Sequence, residues 1–150
     1  DALRGSGVGA ADEVAETIDE AAALLSHHSV VVMGGTVPGH TTDAVAIGLA
    51  ISAGAESCTI ATNVDYIYDS NPRTNPDASP IPRLTLVELQ AVVGPPSHEG
   101  AGPNVVIDPI GVQLAIDNNL ALSLLNGGDV ANLAACLSGD SFTGSVVEVS

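Results

Sequence analysis

Asp43 closes a stretch whose residue types could do chemistry. Gly34, Gly35, Thr36, Val37, Pro38, Gly39, His40, Thr41 and Thr42 lie between an apolar run and a helical pattern. Glycines let backbone N–H groups approach a ligand closely, and a helix N-terminus presents unpaired N–H groups with a partial positive charge. Phosphate settles at such junctions. A carboxylate at the mouth of that place would orient a cation. The same carboxylate also fits an ordinary role, as a first-turn acid that steadies its own helix. Thr41 and Thr42 read equally as N-caps or as ligand hydroxyls, and His40 alone reads as a loop histidine.

Other chemistry is excluded. The chain has no lysine, so a GxxxxGK phosphate loop cannot exist. His27 and His28 fall between a helical and a strand pattern, and His98 sits in a Gly/Pro loop. Cys58 and Cys136 lie in apolar surroundings, as buried free thiols of a reducing cytoplasm would. No His/Cys/Asp cluster has metal-ligand spacing, so no protein-only metal site is expected.

The elements that must position Asp43 follow from pattern. Gly5 to Ala10, "GSGVGA", mimics a dinucleotide glycine motif but has no strand before it, and reads as a flexible lead-in. Asp12 is then expected to cap a helix from about Glu13 to Leu25, with Val14, Ile18, Ala22 and Leu25 as its apolar stripe. A strand is expected at Val30–Met33, a helix at Asp43–Ala53 and a strand at Cys58–Val64. Asp69 to Pro82 holds four prolines and must be a surface excursion. Thr85 and Glu88 form a capping box for a helix to about Val92. Gly94 to Asn104 is a second loop, followed by apolar Val105–Ile107. Asp108-Pro109 is an N-cap with a first-turn proline, opening a helix to Asp117. A strand at Ala121–Leu125, a helix at Asp129–Leu137 and a strand at Ser145–Val149 complete the chain.

Strands alternating with helices predict a mostly parallel sheet with helices on both faces and ligands beyond the strands' C-terminal ends. The length, 150 residues, fits one domain, with residues 1–28 as a lead-in and helix and 29–150 as the remainder. A hydrophobic fraction of 45% rules out wholesale disorder. Acids number 18 against Arg4, Arg73 and Arg83, for a net charge of -15. That balance, with 2% aromatic residues, excludes nucleic acid and anionic membranes as partners. The acids are dispersed, as on the surface of a salt-adapted cytoplasmic protein. No apolar run is long enough to span a membrane. The chain opens on Asp1 without a start methionine, as a fragment or processed product would.

"GGTVPGHTTDAVA" and "ATNVDYIYDSNPRTNPDA" resemble the uridylate kinases of the amino acid kinase superfamily, especially the archaeal type. "LTLVELQAVV", "VIDPIGVQLAIDNNLALSLLNG" and "LSGDSFTGSVV" extend the resemblance from about Ser29 to Val149. It implies a three-layer α/β/α sandwich with a mostly parallel sheet, represented by its C-terminal portion without the N-terminal half. It implies transfer of a phosphoryl group from ATP to UMP, with Mg²⁺. Gly35, Thr36, Val37, Pro38, Gly39, His40, Thr41 and Thr42 would surround UMP, and Asp43 would be the catalytic acid that organises the transfer. Thr62, Asn63, Tyr68 and Asn71 would surround the adenine and ribose of ATP. A homo-oligomer, a hexamer, is implied as well. Tyr66 stands where the family usually has Gly, and Asn71 where it has Asp. The alternative reading is a non-catalytic homologue that binds nucleotide for regulation or storage.

Overall fold

The computed structural model describes residues 7–36, 41–96 and 106–150. Its frame is the pairing of β3 (Ser57–Thr62) with β7 (Ala121–Asn126), parallel and in unbroken register from Ser57↔Ala121 to Thr62↔Asn126. Side chains alternate across a strand, so Cys58 and Ile60 enter one face with Leu122 and Leu124. β8 (Ser145–Glu148) runs antiparallel to β7 and parallel to β6 (Arg83–Thr85), giving the order β3-β7-β8-β6. Parallel pairs flank one antiparallel junction, so the sheet is mostly parallel.

Helices cover both faces. α2 (Thr42–Ser52), α3 (Leu86–Val93) and α4 (Pro109–Asn118) lie on the face of Cys58 and Ile60, where Ile47, Leu86, Leu89, Val112 and Ala115 join the core. Thr59 points the other way, and its Oγ1 lies 3.9 Å from the Sγ of Cys136 on α5 (Val130–Leu137). The result is the expected α/β/α sandwich. Local capping sets the helix starts. Thr85 and Glu88 form the reciprocal capping box, Asp108 caps Pro109–Asn118 and Asp129 caps α5.

The N-terminal expectation fails. Asp12 does not cap a helix: Ala10–Ala15 is a strand, β1, parallel to β2 (Val30–Met33), and α1 begins only at Ile18, behind an N-cap at Thr17. Asp12 and Glu13 are poor strand formers, and the pairing with an all-apolar β2 overrides their propensity. Val14 accordingly leaves the predicted stripe and is 61% exposed, while Ala21 is the fully buried residue of α1. Ile18 packs over Gly48 of α2, where a Cβ would lie 2.9 Å from the Ile18 Cδ1. The excursion after β3 also has order: β4 (Ile67–Tyr68) and β5 (Pro80–Ile81) pair antiparallel.

Candidate functional site

Helix α2 starts at the junction where the sequence places it. Thr41 is its N-cap, accepting from the Ala44 amide at 3.3 Å, and Thr42 is its first residue. Asp43 lies half-buried in the first turn, while Gly35 and Thr36 lead out of β2 on the other side. Val37, Pro38, Gly39 and His40 lie outside the described residues, as does His98.

A second helix start meets the first. Gly111 of α4 faces α2 so closely that a Cβ there would lie 3.0 Å from the Ile47 Cδ1 and 3.3 Å from the Ala44 Cα. A side chain there would force its neighbours on α2 to give way, so glycine suits the approach. It brings Asp108, the N-cap of α4, against Thr41 and Asp43. The Thr41 hydroxyl donates to Asp108 Oδ2 at 2.5 Å, and the Ile110 amide donates to Asp108 Oδ1 at 2.9 Å. The backbone N–H of Asp108 faces the Asp43 carboxylate closely enough to favour its charged form. Asp108, only 8% exposed, therefore holds the end of the glycine loop beside the candidate catalytic acid.

Electrostatics follow from this packing. Burial pushes the Asp43 carboxyl above its usual range, the Asp108 amide draws it partly back, and the Asp108 negative charge raises it again. The buried Cys58 thiol is pushed up to about 11, first by burial and then by the charge of Asp43. Asp43 is thus an acid whose charged form its surroundings disfavour. A cation beside it would relieve both the desolvation and the repulsion from Asp108. Among the described residues, no group of three or more His, Cys, Asp and Glu could hold a metal ion alone.

The remaining predicted residues lie at the end of β3 and in the excursion that follows it. Thr62 ends β3, and its carbonyl accepts from the Gly127 amide at 2.8 Å, beside exposed Asn63. Gly127 packs closely on β3, where a Cβ would lie 3.1 Å from the Ala61 Cβ. Tyr68 lies half-buried in β4, and its ring meets Tyr66 edge-on at 6.4 Å between centroids. Asn71 Oδ1 accepts from the Arg73 amide at 2.9 Å, shaping the turn that follows. Only Asn119 and Leu120 separate α4 from β7, and Val112 and Ala115 of α4 join the core with Leu122 and Leu124 of β7. Ligands of open α/β sheets bind beyond the C-terminal ends of the strands, where Thr62 and Asn126 stand.

Sequence reasoning missed two contributors. Asp108 is legible as an N-cap, but nothing local shows that it reaches Thr41. Asn126 donates to Asp65 at 2.9 Å and accepts from the Gly128 amide at 3.0 Å, closing the same edge.

The chain is thus an α/β/α sandwich in which the starts of α2 and α4 converge. Residues 3–126 match the amino acid kinase family, and the chain belongs to that family. A uridylate kinase of Methanococcus aeolicus is 41% identical over 118 residues, 79% of this chain and 52% of that protein. One of Methanococcus maripaludis strain C5 is 37% identical over 134 residues, 89% of this chain and 59% of that protein. The crystal structure of a uridylate kinase from Archaeoglobus fulgidus superposes with a TM-score of 0.81 at 33% identity, covering 97% of this chain and 64% of that one. The chain therefore spans between 52% and 64% of the length of these relatives. No helix among the described residues is long and apolar enough to cross a membrane.

Proposed function

We propose that this chain carries the UMP-holding part of an ATP:UMP phosphotransferase, giving ADP and UDP. The observation that carries the reading is the meeting of Thr41, Asp43 and Asp108 at two convergent helix starts, in a chain 41% identical to a uridylate kinase. In this reading Gly35 through Thr42 surround the UMP phosphate, with the α2 N-terminus stabilising its charge by about 0.3–1 kcal/mol. A phosphate oxygen of UMP attacks the γ-phosphorus of ATP, and the bond to the β-γ bridging oxygen breaks. The attacking oxygen is already anionic, so no general base is required. Positioning and charge neutralisation carry the rate.

Asp43 is the acid that would face Mg²⁺ arriving on the nucleotide phosphates. The ion supplies neutralisation of the charge on the transferred group. Asp108 keeps Asp43 and Thr41 in place throughout. Thr62, Asn63, Tyr68 and Asn71 hold the adenine and ribose. The family resemblance supports a homo-oligomer, a hexamer. Dispersed acids and free thiols support a cytoplasmic, salt-adapted setting.

Calorimetric titration of the folded chain with UMP, AMP and an amino acid tests the reading. UMP should bind in clear preference to the others. Equal or absent affinity for UMP in a folded chain overturns it.

A further inference from the structure

The hairpin β4–β5 carries Tyr68 and opens the turn that contains Asn71, yet its paired residues number only two on each strand. So short a pair does not hold itself in water. Ile67 and Ile81 are partners across it. Between them reaches a side chain from another strand. The Ser145 hydroxyl accepts from the Ile67 amide at 2.9 Å and donates to the Ile81 carbonyl at 2.7 Å. Ser145 is fully buried, and both capacities of its hydroxyl are used.

The seat of Ser145 is itself fixed from several sides. Asn132 of α5 clamps Thr143 by paired bonds of 2.7 Å, one donated to the Thr143 carbonyl and one accepted from its amide. Gly144 passes so close to β7 that a Cβ would lie 2.5 Å from the Leu124 carbonyl oxygen. The Val146 amide donates to the Pro82 carbonyl at 2.9 Å, tying β8 beside the end of the hairpin. The hydroxyl is thus delivered to the hairpin by the rigid sheet. Ile67 is fully buried, so strand alternation turns Tyr66 and Tyr68 to the opposite side, where their rings meet.

We propose that Ser145 is a positioning residue for the ATP-side subsite, fixing the β4–β5 hairpin and through it Tyr68 and Asn71. The assignment rests on the nucleotide-binding reading above. Removing the hydroxyl takes the bridge from the Ile67 amide and the Ile81 carbonyl and leaves the two-residue pair to its own ladder, so the hairpin opens more easily while the core stays intact.

The test compares wild type, Ser145→Ala and Val147→Ala by amide exchange and by calorimetry with a non-hydrolysable ATP analogue and with UMP. Val147 is buried on the same strand and donates nothing to the hairpin, so its variant reports general destabilisation. Ser145→Ala should lower protection of the Ile67 amide and weaken the ATP analogue roughly tenfold, with UMP affinity unchanged. Val147→Ala should do neither. If Ser145→Ala leaves Ile67 protection and analogue affinity as in wild type, the assignment is wrong. It is equally wrong if both variants weaken both nucleotides alike. If wild type fails to bind the analogue at all, the nucleotide reading of the hairpin falls, and the assignment falls with it.

Discussion

Thr41 and Asp108 stand 67 positions apart in the chain, and the hydroxyl of the first donates to the carboxylate of the second. Each is also the N-cap of its own helix. One bond therefore couples the starts of α2 and α4. It also places Asp43, which the Asp108 amide faces, beside the end of the glycine loop.

Asp108→Asn should separate these duties. Asparagine still caps the Ile110 amide with its oxygen, since Asn and Asp are comparable N-caps. Its amide nitrogen, however, cannot accept from Thr41. Losing a buried bond to a charged acceptor should destabilise the chain by about 1–3 kcal/mol and loosen the loop end that would hold UMP. Urea unfolding and UMP titration check this. An unchanged unfolding midpoint with unchanged UMP affinity would show that the Thr41–Asp108 bond holds nothing.

How much of this was legible in the sequence depended on distance along the chain. The Thr85–Glu88 box, the Asp108-Pro109 cap and the strands at Val30–Met33 and Ala121–Asn126 are set by residues a few positions apart. Gly35, Thr36, Thr41, Thr42 and Asp43 could be placed at a strand-to-helix junction for the same reason. β1 could not be, because Asp12 and Glu13 favour other structure and only the partner strand β2 makes them extended. The reach of Asp108 to Thr41, and of Ser145 to Ile67, depends on how distant elements pack. No local pattern encodes either.

Cys58 should be nearly inert in the folded chain. With its thiol pushed up to about 11, only about one thousandth is thiolate at pH 8, and the side chain is buried. Half-buried Cys136 should react first with a disulfide reagent. Because the charge of Asp43 contributes to the shift, Asp43→Asn should speed Cys58 labelling. Labelling of native Cys58 at the rate of the unfolded chain contradicts the burial and the charge argument together.

Salt should stabilise the chain. A net charge of -15 on 150 residues repels itself in dilute buffer, and at molar salt the Debye length falls to about 3 Å. Arg83 pairs with Glu148 at 3.0 Å, but both side chains are largely exposed and such pairs contribute little. Melting temperature should therefore rise steadily from dilute to molar KCl. A flat profile removes the case for a salt-adapted surface.

Stability should also respond to pH through Asp43. Its folded carboxyl holds a proton more tightly than the unfolded one, whose ordinary value is 3.8. The folded state then binds more protons in the window above 3.8, so this group's contribution to stability is present below that value and is lost as pH rises through the raised one. Glu88 acts oppositely: bonds from the Thr85 amide and hydroxyl hold its carboxyl below 4.5, so its contribution is lost as pH falls. Asp43→Asn should remove the first trend and leave the second. Unfolding curves from pH 3 to 7, on the order of one per unit, resolve the two. Identical pH profiles for wild type and Asp43→Asn would mean that Asp43 titrates normally.

Turnover gives Asp43 its sharpest test. In the proposed reaction the UMP phosphate needs no deprotonation, so Asp43 acts by charge and placement and not as a base. Asparagine keeps the size of the side chain and an oxygen that can accept the Asp108 amide, but loses the negative charge facing the cation. UMP affinity should stay within about twofold, because Gly35 to Thr42 and the α2 N-terminus remain in place. The phosphoryl-transfer rate should fall about a hundredfold, or about 2.7 kcal/mol of transition-state stabilisation. The measurement is ADP release under saturating ATP and UMP, in a chain that supports turnover as wild type. A variant that keeps its rate reduces Asp43 to a helix-end charge. One that loses UMP binding instead makes the acid part of the UMP subsite, with Asp108 as its support.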